Sequence, residues 1–173
     1  MDNKEDYWNG YLIRFIAGEG CFHINIMDQR NNSWKVKRKT KTNFEIKPLF
    51  GMTLSGEDIE SLEFIKERFG FGIISDLKRD SNSNTVQQKQ IFISGLKNCK
   101  KMIELIDKYK FIGKKGKDYL SWKEAVKLIE NKEHLTKEGI LKIARIRDKM
   151  NKVGKTGKPK NYRDYNWFKE SLS

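Results

Sequence analysis

The sequence predicts an α+β fold in the order αββαββα, with one four-stranded antiparallel sheet, helices on one face of it and further helices toward the C-terminus. Three observations predict this class. Apolar residues recur at helical spacing in some segments, they alternate with polar residues in others, and turn-forming residues separate these segments. The chain has 173 residues, a length that allows one ordinary domain with its own core.

The first three elements are a helix and two strands. The helix is predicted over residues 5–17, whose apolar positions follow helical spacing, and it ends at the glycines of residues 18–20. A half-buried strand follows, because apolar residues alternate with polar ones from Phe22 to Ile26. After a polar, basic loop, a second strand is predicted from Phe44 to Met52.

The later elements repeat the pattern of one helix and two strands. A capping-box-like start at residues 55–58 predicts a helix that Gly70 ends. The remaining predicted elements are strands at residues 72–77 and 86–94 and helices at residues 96–106, 118–130 and 136–150. We expect a single domain over residues 1–151, and a basic C-terminal extension over residues 152–173 that is irregular beyond Val153.

The charge of the chain predicts a polyanionic partner. Lys and Arg number 36 against 23 Asp and Glu, for a formal net charge of +13. This excess indicates nucleic acid or an anionic membrane surface. Cations cluster in residues 34–42, in residues 108–117 and after Asn151. Clusters between structured segments are typical of phosphate contacts, although a solvated lysine-rich surface has the same composition.

Several protein classes are disfavoured. No apolar stretch approaches the roughly 20 residues of a membrane-spanning helix, and the chain does not open with a secretory leader. Cys21 and Cys99 lie too far apart to indicate a disulfide scaffold, and the isolated His23 and His134 do not form a zinc pattern. We therefore expect an intracellular protein with reduced thiols, in cytoplasm, nucleoid or an organelle, that is neither secreted nor bound to a membrane.

One face of the predicted sheet is free to meet a ligand. Strand parity assigns its residues, and Asn, Gln, Arg and Lys supply the donors and acceptors that reading base edges in a major groove requires. Any exposed sheet face has a similar composition, so this signal alone is weak. The predicted DNA-binding residues are His23, Asn25, Met27, Gln29, Glu45, Lys47, Ser75, Arg79, Gln88 and Gln90, with Gly51 as a further outward position and Lys35, Lys37, Arg38, Lys39 and Lys41 in the basic loop.

A motif at the end of the first helix carries the chemistry. Residues 12–22 read Leu-Ile-Arg-Phe-Ile-Ala-Gly-Glu-Gly-Cys-Phe, which resembles the LAGLIDADG element of homing endonucleases in its Gly-Glu-Gly-Cys-Phe form. The resemblance continues to about Asn151, through residues 69–72, Lys114-Lys115 and residues 132–139. A Gly-acid-Gly string alone is nonspecific, since glycines also simply end helices. The ordered series of segments is the stronger evidence.

The resemblance implies a single-motif, homodimeric type of this family. Its helices ending at Gly18 pack at a two-fold axis, and the two Glu19 carboxylates meet there and bind divalent metal. Glu19 and the Gly18 carbonyl are the implied ligands, and the metal is Mg²⁺, with Mn²⁺ or Ca²⁺ as alternatives. Lys114 and Lys115 both match the basic residue that stabilises the transition state, and the choice between them stays open. The implied dimer interface comprises Leu12, Arg14, Phe15 and Gly18.

The implied activity is hydrolysis of double-stranded DNA at a long, pseudo-palindromic site, leaving double-strand breaks with short 3′ overhangs. We expect an intron-encoded or free-standing protein, because no flanking splicing segments are evident. Two other functions use the same fold and surface: an RNA maturase that binds intron RNA, and a noncatalytic sequence-specific DNA-binding protein.

Three positions depart from the family pattern. Arg14 stands where a small residue usually allows two helices to cross closely, with Asp6 as a potential partner. Ala17 replaces the first acid of the motif, and Leu54 stands where a polar residue commonly supports the attacking water. These departures bear on dimer geometry and turnover.

Overall fold

The computed structural model describes residues 3–30, 42–77, 87–150 and 162–173, and the side chains from Glu5 onward. The elements are α1 (Asn3–Glu19), β1 (Gly20–Asp28), β2 (Phe44–Ser55), a 3-10 turn (Gly56–Asp58), α2 (Ile59–Phe69), β3 (Ile73–Asp76), β4 (Gln88–Ser94), α3 (Leu96–Ile106), α4 (Gly113–Glu130), a second 3-10 turn (Glu133–Leu135), α5 (Lys137–Lys149) and α6 (Tyr165–Leu172).

The four strands form one sheet in the order β1-β2-β4-β3. Strand β4 pairs antiparallel with both β2 and β3. The predicted α+β class, the αββαββα order and the four-stranded antiparallel sheet are therefore confirmed. Within the described residues, no helix combines the length and the apolarity that crossing a bilayer demands.

The chain packs as two compact units. The first comprises Met1–Cys21 and Leu49–Gly116, and the second comprises Phe22–Pro48 and Lys117–Ser173. Strands β1 and β2 and helix α4 therefore each contribute residues to both units.

The first unit buries one stripe of each of its helices. Ser55 caps the 3-10 turn that precedes α2, because its side chain accepts a hydrogen bond from the Glu57 amide. Gly70 ends α2 with a left-handed φ of 69°. These helices and the strands they cover exclude water from a shared apolar core, which is the main driving force for their packing. The fully buried apolar residues of this unit, among those the structure describes, are Leu12, Ile16, Phe50, Met52, Leu62, Ile65, Ile91, Ile93, Cys99, Met102 and Ile106.

Gly20 lets the end of α1 pack closely against β2. A Cβ at this position would lie 2.5 Å from the Ile16 carbonyl oxygen and 2.7 Å from the Phe50 ring. Any larger residue must displace either backbone or a buried aromatic side chain. The second glycine of the motif therefore has a packing role that its position in a helix-ending string does not reveal.

The second unit is built around aromatic side chains. Phe22 on β1 packs against Trp122 of α4 with ring centroids 5.2 Å apart, and both are fully buried. Phe44 on β2 packs in the same way against Phe168 of α6, at 5.3 Å. Helix α6 also packs on α5.

The predicted irregular C-terminal tail is wrong from Tyr165 onward, because these residues form α6. The Asp164 carboxylate caps the helix by accepting a hydrogen bond from the Trp167 amide at 3.0 Å, and Phe168 is fully buried. Gly154, Gly157 and Pro159 dominated the sequence interpretation, although a cap and apolar residues four apart follow them. The domain boundary at residue 151 stays a prediction.

Replacing Gly20 with Ala should destabilise the fold, because the added methyl group clashes with Ile16 and Phe50. We expect the free energy of unfolding to fall by about 1–3 kcal/mol, the usual effect of overpacking. Urea denaturation at a concentration where the chain is monomeric measures the change. The matched control is Gly18→Ala, where a Cβ meets nothing within 4 Å. Equal stability of Gly20→Ala and the wild-type protein would contradict the packing role.

Candidate functional site

The motif places an exposed acid at the C-terminal end of α1. The helix ends at Glu19, and both Gly18 and Glu19 are exposed. The last turn contains no basic residue, so the partial negative charge of its unpaired carbonyl groups is not offset from within the helix. This end of α1 therefore attracts cations.

Lys115 of α4 supplies one such cation. Its Nζ donates a hydrogen bond to the carbonyl oxygen of Gly20, the residue that follows Glu19. The Lys115 side chain is half-buried, whereas its neighbour Lys114 is exposed. This bond favours Lys115 of the two lysines between which the sequence leaves the choice open.

The start of α4 has the opposite electrostatic character. Its first turn carries Lys114 and Lys115 and no acidic residue, although cations are disfavoured at the positive end of a helix dipole. Free amide groups and lysines at a helix N-terminus together suit an anion such as phosphate. Gly116 makes this start compact, because a Cβ there would lie 2.6 Å from the Phe111 carbonyl oxygen.

The donor atoms at the end of α1 fit a hard divalent cation. Glu19 offers a carboxylate, Gly18 offers a carbonyl oxygen in the last helical turn, and both are exposed. Magnesium is commonly held by one or two carboxylates, with water and substrate phosphate completing its shell. In the described ranges, no group of three or more His, Cys, Asp or Glu residues could hold a metal. One chain thus supplies only part of a coordination shell here.

The exposed side of α1 differs in one respect from the predicted dimer interface. Leu12 is fully buried, so its side chain faces the core of its own chain, and its assignment to the interface is corrected. Phe15 is half-buried and packs against Tyr11 at 4.9 Å. The residues that share the exposed side of α1 or leave space on it are Tyr7, Gly10, Tyr11, Arg14 and Gly18.

Arg14 lies on this exposed side of α1. Across the parts of the chain that the structure covers, it forms no ion pair with Asp6, the partner considered from the sequence. The guanidinium is therefore not neutralised by an acid of its own helix.

In the first unit, polar side chains form a row across three strands. The register pairs Thr53 of β2 with Gln90 of β4, and Gln90 with Ser75 of β3. Directly paired residues lie on the same sheet face, and Gln90 Nε2 donates a 3.4 Å hydrogen bond to Ser75 Oγ. The predicted outward direction of Ser75 and Gln90 is confirmed, and Thr53 joins them. Thr53 could have been predicted as outward from the sequence, because it alternates with Met52, which is buried.

Two further positions of this unit extend the same face. Gln88 is exposed and pairs with Ser55. Gly51 pairs with Phe92, which in turn pairs with Ile73, and Ile73 is 66% exposed. This row is apolar, and apolar side chains in a major groove contact the thymine methyl group.

Leu54 points to the opposite face from Thr53. It pairs with Lys89, which pairs with Asp76 and forms a 2.8 Å ion pair with its carboxylate. Leu54 is half-buried beside this ion pair. The position where the family pattern has a polar residue therefore carries an apolar side chain outside the polar row.

In the second unit, the outward residues of β1 alternate as predicted. Phe22, Ile24 and Ile26 are buried, whereas Asn25 is exposed and His23 and Met27 are half-buried. Burial lowers the pKa of His23 below its ordinary value, so its imidazole is neutral at neutral pH. A neutral imidazole has one donor and one acceptor nitrogen, which suits hydrogen bonding more than charge attraction.

The Glu45 carboxylate fixes two neighbouring side chains at the end of this face. Glu45 of β2 accepts a 3.0 Å hydrogen bond from Gln29 and forms a 2.9 Å ion pair with Lys47. The three side chains predicted to contact DNA here therefore hold one another in place. The predicted DNA-binding residues Lys35, Lys37, Arg38, Lys39, Lys41 and Arg79 lie outside the described residues.

Comparison with known proteins gives consistent similarities. A family model described as LAGLIDADG endonuclease matches residues 12–126. A protein from Neurospora crassa, named probable intron-encoded endonuclease 3, is 30% identical over 144 residues, covering 83% of this chain and 24% of the relative. This chain thus spans about a quarter of that relative's length.

Solved structures are similar over nearly the whole chain. An archaeal intron-encoded homing endonuclease complexed with DNA is 26% identical, with a TM-score of 0.78 and coverage of 97% of this chain and 96% of the other. The homing endonuclease I-TnaI is 25% identical, with a TM-score of 0.72 and coverage of 95% of each chain.

Proposed function

Because the chain belongs to the LAGLIDADG endonuclease family, we propose that it is a homing endonuclease that makes metal-dependent double-strand breaks at a long, near-palindromic DNA site. One observation carries the proposal: Lys115 bonds to the carbonyl oxygen of Gly20 and so places an ammonium group at the residue that follows Glu19. The structural similarity to an endonuclease solved in complex with DNA supports the same substrate.

The end of α1 is suited to hold Mg²⁺ through Glu19 and the Gly18 carbonyl. When bound, the metal supplies Lewis-acid chemistry for phosphodiester hydrolysis. Lys115 and the start of α4 have a complementary task, because they attract the scissile phosphate and stabilise negative charge that develops on its oxygens. Lys115 is fixed before the substrate arrives, so little reorganisation is needed during the reaction.

The proposed enzyme is a homodimer that packs through the exposed side of α1. Gly10 and Gly18 have no neighbours within 4 Å of an added Cβ, so this side leaves room for a second backbone. Tyr7 and Tyr11 are 65% and 38% exposed and would be covered in the dimer. Two copies would bring two Glu19 carboxylates together, and their two-fold symmetry would be mirrored in the DNA site.

The outward strand residues would read bases in each half-site. Asn25 and the polar row of Thr53, Gln90 and Ser75 offer amide and hydroxyl groups, the types that pair with base edges. Asn25 belongs to the second unit and the polar row belongs to the first. On β1 and on β4 the polar side chains alternate with buried ones. Phosphate contacts by the lysines would supply affinity without sequence preference.

Replacing Glu19 with Gln should abolish cleavage and preserve DNA binding, because the amide keeps the shape of the side chain but loses the charge that holds the metal. Cleavage of a duplex that the wild-type protein cuts, together with its dissociation constant, measures both effects. The matched control is Glu5→Gln, which removes an exposed acid from the first turn of the same helix and should cut normally. Normal cleavage by Glu19→Gln would remove this carboxylate from the mechanism.

Replacing Lys115 with Ala should reduce the single-turnover cleavage rate by about a hundredfold or more, the usual effect of removing a transition-state donor. Lys114→Ala is the control and should change the rate only a few-fold, because Lys114 is exposed whereas Lys115 is half-buried and bonds to Gly20. Rates measured with saturating enzyme separate this effect from binding. A larger loss in Lys114→Ala than in Lys115→Ala would reverse the assignment.

A further inference from the structure

A cluster of two arginines and one aspartate lies at the end of β1 in the second unit. Asp28 is the last residue of β1, Arg30 follows two residues later, and Arg163 precedes α6. The Arg30 Nε and Nη2 atoms donate to the two Asp28 oxygens at 3.0 and 2.8 Å. Arg163 Nη1 donates to Asp28 Oδ2 at 2.9 Å. The cluster thus joins residues that are far apart in the sequence.

Aromatic rings hold both guanidinium groups. The Arg163 Cζ atom lies 4.2 Å from the ring centroid of Trp167, and that of Arg30 lies 5.7 Å from the same ring. Arg30 also lies over Phe44 at 5.4 Å. Contact with an aromatic face is favourable for a guanidinium and restricts its orientation. Both cations are therefore positioned before any ligand binds.

The cluster carries an uncompensated positive charge. The Asp28 side chain is only 6% exposed, whereas those of Arg30 and Arg163 are 41% and 39% exposed. The Arg30 guanidinium holds the pKa of Asp28 below its usual range, so the carboxylate remains ionised. Two cations against one anion leave one positive charge at the surface. The nearby Asp164 carboxylate is engaged in capping α6.

Both arginines have a structural role, because each bonds to Asp28 and lies over Trp167. Arg30 bonds both oxygens of Asp28 in the bidentate geometry that arginine prefers, and Arg163 bonds a remaining lone pair of the carboxylate. Bringing Arg163 to the same carboxylate places two like charges side by side, which is unfavourable unless an anion offsets the repulsion. Two guanidinium groups with fixed planes and exposed edges form a geometry that suits the oxygens of a phosphate.

The position of the cluster indicates which phosphate it meets. Asp28 and Arg30 flank Gln29, which directly follows β1 and whose side chain bonds to Glu45. In a duplex, the sugar-phosphate backbone borders the groove in which bases are read. Asp28 has the strand parity of the buried Phe22, Ile24 and Ile26, so the cluster lies beside the outward face and not on it. Its exposed guanidinium edges are the part that a backbone phosphate bordering the groove would meet.

We propose that Arg30 and Arg163 form a phosphate-binding site that contacts the DNA backbone next to the bases read by β1. This inference rests on the proposed function, because it takes duplex DNA as the ligand. It gives the C-terminal segment a part in DNA binding, since Arg163 directly precedes the capping residue of α6 and Trp167 lies in α6.

The test is the salt dependence of DNA binding by Arg163→Gln and Arg30→Gln, on a cleaved target duplex and on an unrelated duplex. Each variant should lose about tenfold in affinity on both duplexes. The slope of log affinity against log salt concentration should become shallower by about 0.9 for the lost phosphate contact. The matched control is Arg145→Gln, since Arg145 also lies over an aromatic residue of α6, Tyr165 at 4.6 Å, and is exposed. It should leave the slope unchanged.

Three results would overturn the proposal. An unchanged slope with only a lower melting temperature would make the cluster a structural link. An equal change in Arg145→Gln would show a general charge effect, and an effect seen with RNA but not with duplex DNA would identify another ligand. If Arg163→Gln fails to fold, Arg30→Gln decides. Cleavage by the wild-type protein is scored separately, so unchanged slopes beside normal cleavage would reject this site alone, whereas absent cleavage would reject the proposed function.

Discussion

The candidate site depends on the hydrogen bond from Lys115 to the Gly20 carbonyl, because it joins the ends of two helices with opposite polarity. The C-terminus of α1 attracts cations and the N-terminus of α4 attracts anions. In the proposed function, the divalent metal would be the cation at the end of α1, and the phosphodiester would be the anion at the start of α4. Close packing at Gly20 keeps the end of α1 against Phe50 of β2. This contact fixes the position of the junction relative to β2.

Fixed side chains recur on the surfaces proposed to meet DNA. Glu45 orients Gln29 and Lys47, and Asp28 orients two arginines. In each case an acid limits the motion of the groups that would contact the ligand, which lowers the entropy lost on binding. In the proposed function, Asp28 and Glu45 would therefore contribute to recognition by positioning cations and amides.

Much of the fold could be predicted from the sequence. Helical spacing located α2 and α3, and alternation located the buried side of β1. Alternation could not locate the ends of strands, because pairing partners determine where a strand stops. Helix α6 was missed because the glycines and proline before it outweighed its cap and its two apolar residues, and the packing of Phe168 against Phe44 that stabilises it joins distant parts of the chain.

The site was predicted less completely for a similar reason. The motif identified Glu19, but Lys114 and Lys115 are adjacent, and only the three-dimensional arrangement shows that Lys115 contacts Gly20.

The most direct test of the central claim is incubation with a randomised duplex library, with and without Mg²⁺, followed by sequencing of cut ends. We predict Mg²⁺-dependent ends clustered around one near-palindromic sequence, which would establish both cleavage and two-fold symmetry. Specific binding without cut ends would contradict the account and favour a maturase or a DNA-binding regulator.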